Sequence, residues 1–228
     1  MKYVTVIPAR GGSKRFPGKN IYPLEGIPLL AHSILYSRKV LPDTEVYVST
    51  DNEEIAEVAR RYGAGVIERP EELSGDRCST DSALQHAAIE LLSSSKEFDY
   101  MILLQATNPL RPDGMMEEAL QTIETGTYDS LFTVSPLVRK LGRLIDGRFI
   151  PWNFTFGQRS QDMEPLYFEN GLLYISHREL ILKGCIRGES LYSLIADHPF
   201  GYLDIDTQED FEMIAYYSHK YNKEKSIK

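Results

Sequence analysis

Cysteine is scarce in this chain, with only Cys78 and Cys185 among 228 residues. They lie far apart and form no C-x-x-C pair, which argues against a disulfide framework and for unpaired thiols in a reducing compartment. Long apolar runs are also missing. Residues 4–7 form the longest such stretch before Arg10, too short for the core of a secretion signal, and no run approaches a membrane span. A cytoplasmic setting is expected. Positive charge is in deficit, 25 Lys+Arg against 33 Asp+Glu for a net charge of −8, which argues against nucleic acid or an anionic membrane surface as partner. The five histidines are scattered; only His86 and Glu90 share a helical face, and one such pair is the pattern of a surface contact, not of a zinc site.

Several familiar catalytic signatures are absent as well. No G-x-G-x-x-G follows the first strand, and a Walker A loop would need Gly at Ser13 and Ser or Thr at Asn20. No G-x-S-x-G elbow suggests a covalent serine intermediate.

What is present is a steady alternation of short β-branched runs with amphipathic stretches. Strands are expected at 3–7, 45–49, 65–68, 100–104, 130–134, 171–175, 192–195 and 201–205. Helices are expected at 28–40, 52–62, 80–94, 112–125, 177–183 and 207–221. The helix from Asn52 carries an apolar stripe of Ile55, Val58, Ala59 and Tyr62, with Asp51 as its expected cap and Glu54 completing the box. Met101-Ile-Leu-Leu is apolar without alternation, as in a strand covered on both faces. Together these features predict a single α/β domain with a three-layer, doubly wound, mainly parallel sheet, and ligands beyond the carboxyl ends of its strands. Residues 136–168 break the rhythm with prolines and aromatics, which reads as an excursion: an insertion, lid or interface.

The densest positive charge stands on the first ligand-side loop. "IPARGGSKRFPGKN", residues 7–20, holds Arg10, Lys14, Arg15 and Lys19, two adjacent glycines and no acid. Fixed cations on a glycine-bearing turn after a strand suit a phosphate cradle; a solvated basic turn is the alternative. Near the other end, Asp204 and Asp206 in "DIDT" are two apart. On a strand both carboxylates would face one way and suit Mg²⁺, which keeps waters and shares substrate phosphates. Asp206 followed by Thr207, Gln208 and Glu209 is equally well suited to cap a helix. Arg111 either reaches an acidic substrate or fixes its own loop.

The opening loop resembles the signature of the sugar-acid cytidylyltransferases, specifically the CMP-N-acylneuraminate synthetases and their KDN, legionaminate and pseudaminate relatives. The resemblance continues through "STDNEEIAEVARRYGA", "ERPEEL", "LLQATNPLR", "ENGLLYI" and "DIDTQEDF", in family order over nearly the whole chain. It implies the Rossmann-like nucleotide-diphospho-sugar transferase fold. It also implies transfer of CMP from CTP to a nine-carbon 2-keto sugar acid, with pyrophosphate released, by a homodimer in which the excursion completes the partner's sugar pocket. By the same resemblance the nucleotide would meet Ala9, Arg10, Gly11, Gly12, Lys19 and Asn20, with Arg69 and Thr80 nearby. Arg10, Lys19 and Asp206 would be catalytic, Gln105 and Arg159 would face the sugar acid, and Asp204 and Asp206 would hold Mg²⁺ or Mn²⁺. Ala106 and Asn108 stand where the family often has proline and serine, a departure on the sugar side. Rival readings are transfer to the eight-carbon acid KDO, guanylyl transfer to a legionaminate-type acid, a nicotinamide oxidoreductase, or a non-catalytic nucleotide-binding module.

Overall fold

The apolar runs become strands because their residues can be buried on both sides. The computed structural model describes residues 1–226. Strand β1 (Tyr3–Pro8) leads through the cationic loop and a small hairpin of β2 (Pro23–Leu24) and β3 (Ile27–Pro28) into helix α1 (Leu29–Val40). Then follow β4 (Glu45–Thr50), α2 (Glu53–Arg61), β5 (Gly65–Glu68), α3 (Thr80–Ser93), β6 (Tyr100–Leu103) and α4 (Met115–Glu124). After β7 (Ser130–Pro136) comes a second hairpin, β8 (Gly142–Ile145) and β9 (Arg148–Pro151). The chain closes with β10 (Tyr167–His177), α5 (Arg178–Leu182), β11 (Leu191–Ile195) and α6 (Gln208–Ser226).

Seven strands form the central sheet in the order β11-β7-β10-β6-β1-β4-β5. β10 alone runs against its neighbours; the pairs β1 with β4, β1 with β6, β4 with β5, and β7 with β11 are parallel. Side-chain alternation explains the three layers. Met101 and Leu103 pack with Leu84, Ala87 and Leu91 of α3 on one face. Ile102 and Leu104 pack with Leu30 and Ile34 of α1 and Ile123 of α4 on the other. Ile102 and Leu84 have no measurable exposure, so truncating either to alanine costs about 2–5 kcal/mol.

The chain passes from β1 outward to β4 and β5, then crosses back to β6 on β1's other side. The order therefore reverses between β1 and β6, and a crevice opens there beyond the carboxyl ends. A third apolar cluster ties Phe16, Leu24 and Leu29 to Phe200, Leu203, Ile205 and Ile214. It docks the loop after β1 onto the segment before α6, although these are nearly two hundred residues apart.

One expectation fails. Residues 201–205 form no strand: Pro199–Tyr202 is a 3-10 turn and the next residues are irregular. Within the excursion, residues 142–151 pair as the β8–β9 hairpin. Its Leu144, Ile145, Phe149 and Ile150, with Trp152 and Phe156 beyond, are solvent-exposed. Among the described residues no helix is long and apolar enough to cross a membrane.

Candidate active site

The loop after β1 is held in shape by its own polar groups. The Ala9 amide donates to Ser49 O at 2.9 Å, extending the β1–β4 contact past the strand. The buried Asn20 side chain reaches back and donates to Arg10 O at 2.9 Å, tying the end of the loop to its start. The Gly11 amide donates to Asp51 Oδ1 at 2.9 Å. A β-carbon at Gly11 would lie only 2.9 Å from Asn52 Cβ, so the backbone can approach α2 this closely only without a side chain.

That last contact corrects one assignment and qualifies another. Asn52, not Asp51, caps α2: its Oδ1 accepts from the Ile55 amide at 3.0 Å. The Asp51 carboxylate is taken by the loop instead. Because the Gly11 amide is spent on Asp51 and the Ser13 amide on Gly11 O, those two N–H groups are not turned toward a phosphate. The positive character of the loop comes from its side chains.

Those side chains converge with acids from distant segments. Lys19 is largely buried, its Nζ donating to Ile205 O at 2.8 Å and lying 3.3 Å from Asp206 Oδ1. Arg15 Nη2 lies 2.8 Å from Asp206 Oδ2. Arg10 Nη1 lies 3.0 Å from Asp76 Oδ1, and Lys14 pairs with the same carboxylate. The Lys14 ammonium, and then Arg10, hold the exposed Asp76 carboxyl below its usual range. Around this cluster is a cavity of about 460 Å³, whose lining includes Arg10, Lys19, Asn20, Arg69, Thr80 and Asp206.

Arg69 is 8% exposed and grips the end of β4, donating from Nε to Ser49 Oγ at 3.1 Å and from Nη2 to Ser49 O at 2.6 Å. Burial lowers its pKa; Asp51 opposes that shift and Arg10 adds to it. Thr80 opens α3, whose cap is Ser79 accepting from the Ser82 amide at 3.1 Å. This helix therefore points its positive end into the cavity. Cys78 lines it too, which no sequence pattern marked.

The contest at Asp206 resolves on geometry. Thr207 and Asp210 form the reciprocal cap of α6: the Thr207 amide donates to Asp210 Oδ2 at 2.8 Å, and the Asp210 amide to Thr207 Oγ1 at 3.3 Å. Glu209 takes no part in it. The Asp206 side chain is left to Lys19 and Arg15.

A second cavity of about 320 Å³ is lined among others by Gln105, Asn108, Asn170, Tyr174 and Asp204. Asp204 lines this one and Asp206 the first, so without a strand at 201–205 the two carboxylates do not share a face as expected. Asp204 is exposed as a whole residue, but the protein around its carboxyl raises the pKa; the Thr107 hydroxyl lowers it, and the charge of Asp206 raises it further. Tyr174 donates its hydroxyl to Glu169 Oε1 at 2.6 Å, and Arg187 donates to the same oxygen at 2.5 Å. Asn170, Tyr174 and Glu169 lie within the quoted "ENGLLYI", but the sequence offered no reason to single them out.

Most of the expected residues are thus brought together, with four exceptions. Ala9, Gly11 and Gly12 lie in the loop but line neither cavity. The fourth, Arg159, stands on the exposed excursion, paired with Asp162 through Nε at 2.7 Å and Nη2 at 3.0 Å, and lines neither cavity of its own chain. Arg111 is buried and lines neither of these cavities, bordering instead a separate one with His32, Tyr36 and His198.

A family model described as cytidylyltransferase matches residues 4–224. The chain belongs to the cytidylyltransferase family. It is an enzyme of the nucleotidyltransferase class. Among its relatives is the CMP-N,N'-diacetyllegionaminic acid synthase of Legionella pneumophila, 36% identical over 93% of this chain and 94% of that protein. The N-acylneuraminate cytidylyltransferase of Streptococcus agalactiae is 31% identical over 92% of this chain, which spans only 52% of that longer protein. Among solved structures, a CMP:2-keto-3-deoxy-manno-octonic acid synthetase complexed with CTP superposes with a TM-score of 0.72 at 18% identity, covering 97% of this chain and 100% of its own. At that identity the likeness speaks for the fold alone. The cytidylyltransferase thus carries the expected Rossmann-like, mainly parallel sheet.

Proposed function

We propose that this cytidylyltransferase joins CTP to a nine-carbon 2-keto sugar acid, giving the CMP-sugar and pyrophosphate. One observation carries the reading: Lys19 and Asp206, 187 positions apart, meet at 3.3 Å in the cationic cavity, while Asp204, two residues before Asp206, lines the cavity that holds Gln105. A triphosphate fits the first cavity by charge, and a polyhydroxy acid fits the polar lining of the second. The anomeric hydroxyl would meet the α-phosphate near Asp204 and Asp206.

The protein's work is then positioning and charge neutralisation. Lys19 and Arg10 receive the negative charge that moves onto the leaving pyrophosphate. Gln105 orients the sugar acid, and the tie from Asn20 to Arg10 O keeps the cationic loop from opening. Asp206 and Asp76 pair with the loop cations in the ligand-free molecule, and incoming phosphate oxygens would take over these cations.

The residues present fit a divalent ion. Asp204 and Asp206 are two positions apart and supply the carboxylate oxygens such an ion takes. Mg²⁺ (or Mn²⁺) needs no all-protein cage, since two carboxylates, water and substrate phosphate suffice. Bound there, it would neutralise phosphoryl oxygens and lower the proton affinity of the attacking hydroxyl.

The exposed apolar side chains of the β8–β9 hairpin support a homodimer in which this excursion reaches the partner's sugar pocket. The free thiols of Cys78 and Cys185 support a reducing, cytoplasmic setting. Incubating the enzyme with CTP and Mg²⁺ and each of N-acetylneuraminate, KDN, legionaminate, pseudaminate and KDO, then measuring pyrophosphate, tests the reaction. GTP in place of CTP tests the base. No pyrophosphate from any pair would overturn the reading, and light scattering would test the dimer.

A further inference from the structure

Arg111 is 7% exposed and its guanidinium makes three hydrogen bonds, all to neutral oxygens. Nε donates to Leu172 O at 2.7 Å, Nη1 to Ser33 Oγ at 3.0 Å and Nη2 to Gln105 O at 2.9 Å. Ser33 Oγ in turn donates to Gln105 O at 3.0 Å, and the guanidinium carbon stands 5.4 Å from the centre of the Tyr36 ring. Burial pushes its pKa down to about 10, so it stays a cation at neutral pH. A buried cation without a full counter-charge is a costly way to satisfy two carbonyls. Its return must lie in what those carbonyls belong to.

They belong to the two backbone segments that wall the second cavity. One is the turn after β6 that carries Gln105 and Asn108. The other is the irregular part of β10, where pairing with β7 slips between Glu169 and Tyr174. Gly171 at φ 76° lets the backbone bend into this slip, and a β-carbon there would stand 2.9 Å from Asn108 Oδ1 and 3.4 Å from Gln105 Nε2. The far side of the bend is already fixed: Asn170 accepts from Thr133 Oγ1 at 2.6 Å and from the Leu172 amide at 3.1 Å, and donates to Ser135 Oγ at 2.9 Å. What remains to be set is the gap between the bend and the Gln105 turn, and Arg111 spans it. A planar fork with divergent donors can fix three oxygens on three elements at once; an ammonium cannot.

We infer that Arg111 is a positioning residue for the sugar-acid subsite, setting the distance between the Gln105 turn and the Asn170–Leu172 bend without touching either substrate. This rests on the sugar-acid reading given above. It resolves the choice left open by the sequence, because Arg111 lines neither the nucleotide cavity nor the one holding Gln105; the cavity of about 430 Å³ that it does line, with His32, Tyr36 and His198, includes none of Gln105, Asp204 or Asp206.

The test is a split between substrates. In Arg111→Lys, KM for the sugar acid should rise about tenfold to a hundredfold, the scale on which small misplacements act. KM for CTP, and CTP affinity measured with Mg²⁺ in the absence of acid, should stay within about twofold. Ser33→Ala, a gentler change on the same bridge, should move the acid KM in the same direction by a smaller factor, and it carries the test if Arg111→Lys does not fold. Both KM values moving together, or neither moving while only the melting temperature falls, overturns the positioning role. If the unmutated enzyme releases no pyrophosphate with any sugar acid, the functional reading itself has failed. A missing split in active variants sinks only the role of Arg111.

Discussion

Lys19→Ala separates chemistry from stability more cleanly than any other single change in this enzyme. The ammonium lies inside the cationic cavity with its side chain only 15% exposed, held by Ile205 O and Asp206. If it meets charge developing on the leaving group, its loss resembles removal of one preorganised oxyanion donor, about 10²–10³ in turnover or roughly 3–4 kcal/mol. The effect on folding is smaller. Asp206 is 42% exposed, so solvent screens the ion pair to about 0–1 kcal/mol, and the hydrogen bond to Ile205 O adds about 1 kcal/mol. For a chain of 228 residues, 1 kcal/mol moves the melting temperature by about 2–4 °C. Pyrophosphate release and thermal unfolding, measured on the same preparation, should therefore show a loss of turnover with a melting shift of a few degrees. Turnover within about threefold of the unmutated enzyme would remove Lys19 from the mechanism, because even one lost donor should cost far more.

Other outcomes follow from the same contacts. Asp206→Asn should weaken the response of turnover to added Mg²⁺ and barely change melting, since Thr207 and Asp210, not Asp206, cap α6; a large melting loss with metal response intact would restore the capping role. Thr207→Ala should do the opposite, costing about 1 kcal/mol of stability and leaving Mg²⁺ dependence alone, as paired melting and titration would show. Asp210 has a depressed pKa: burial raises it, but the amides of Asp206 and Thr207 and the Thr207 hydroxyl lower it by more. Its stabilisation is accordingly complete above the ordinary value of 3.8 and fades as pH falls through that value toward the lower folded one. Unfolding followed against pH should show a shallower acid limb in Asp210→Asn, and an identical limb would refute the assignment. Alkylation of Cys78, which lines the cationic cavity, should inactivate the enzyme. CTP should slow that inactivation and Cys78→Ser should escape it; labelling of Cys78 without loss of activity would show that the nucleotide does not approach it.

The sequence by itself determined the layered α/β architecture, because apolar periodicity is local: a strand such as Tyr100–Leu103 announces burial on both faces within four residues. Charge likewise marked Arg10, Lys19, Asp204 and Asp206, and the family resemblance added Arg69 and Gln105. It could not choose between adjacent groups of equal local merit. Asp51 and Asn52 can each cap α2, and the outcome was set by the Gly11 amide, 40 residues away. Asp206 and Thr207 can each begin α6, and Lys19 drew Asp206 toward the loop. Residues 201–205 had strand composition but, packed in the cluster with Phe16 and Leu24, gained no strand partner. Only tertiary structure decided these matters. Each is a competition for one donor, acceptor or apolar surface, settled by whichever partner the fold delivers from far along the chain.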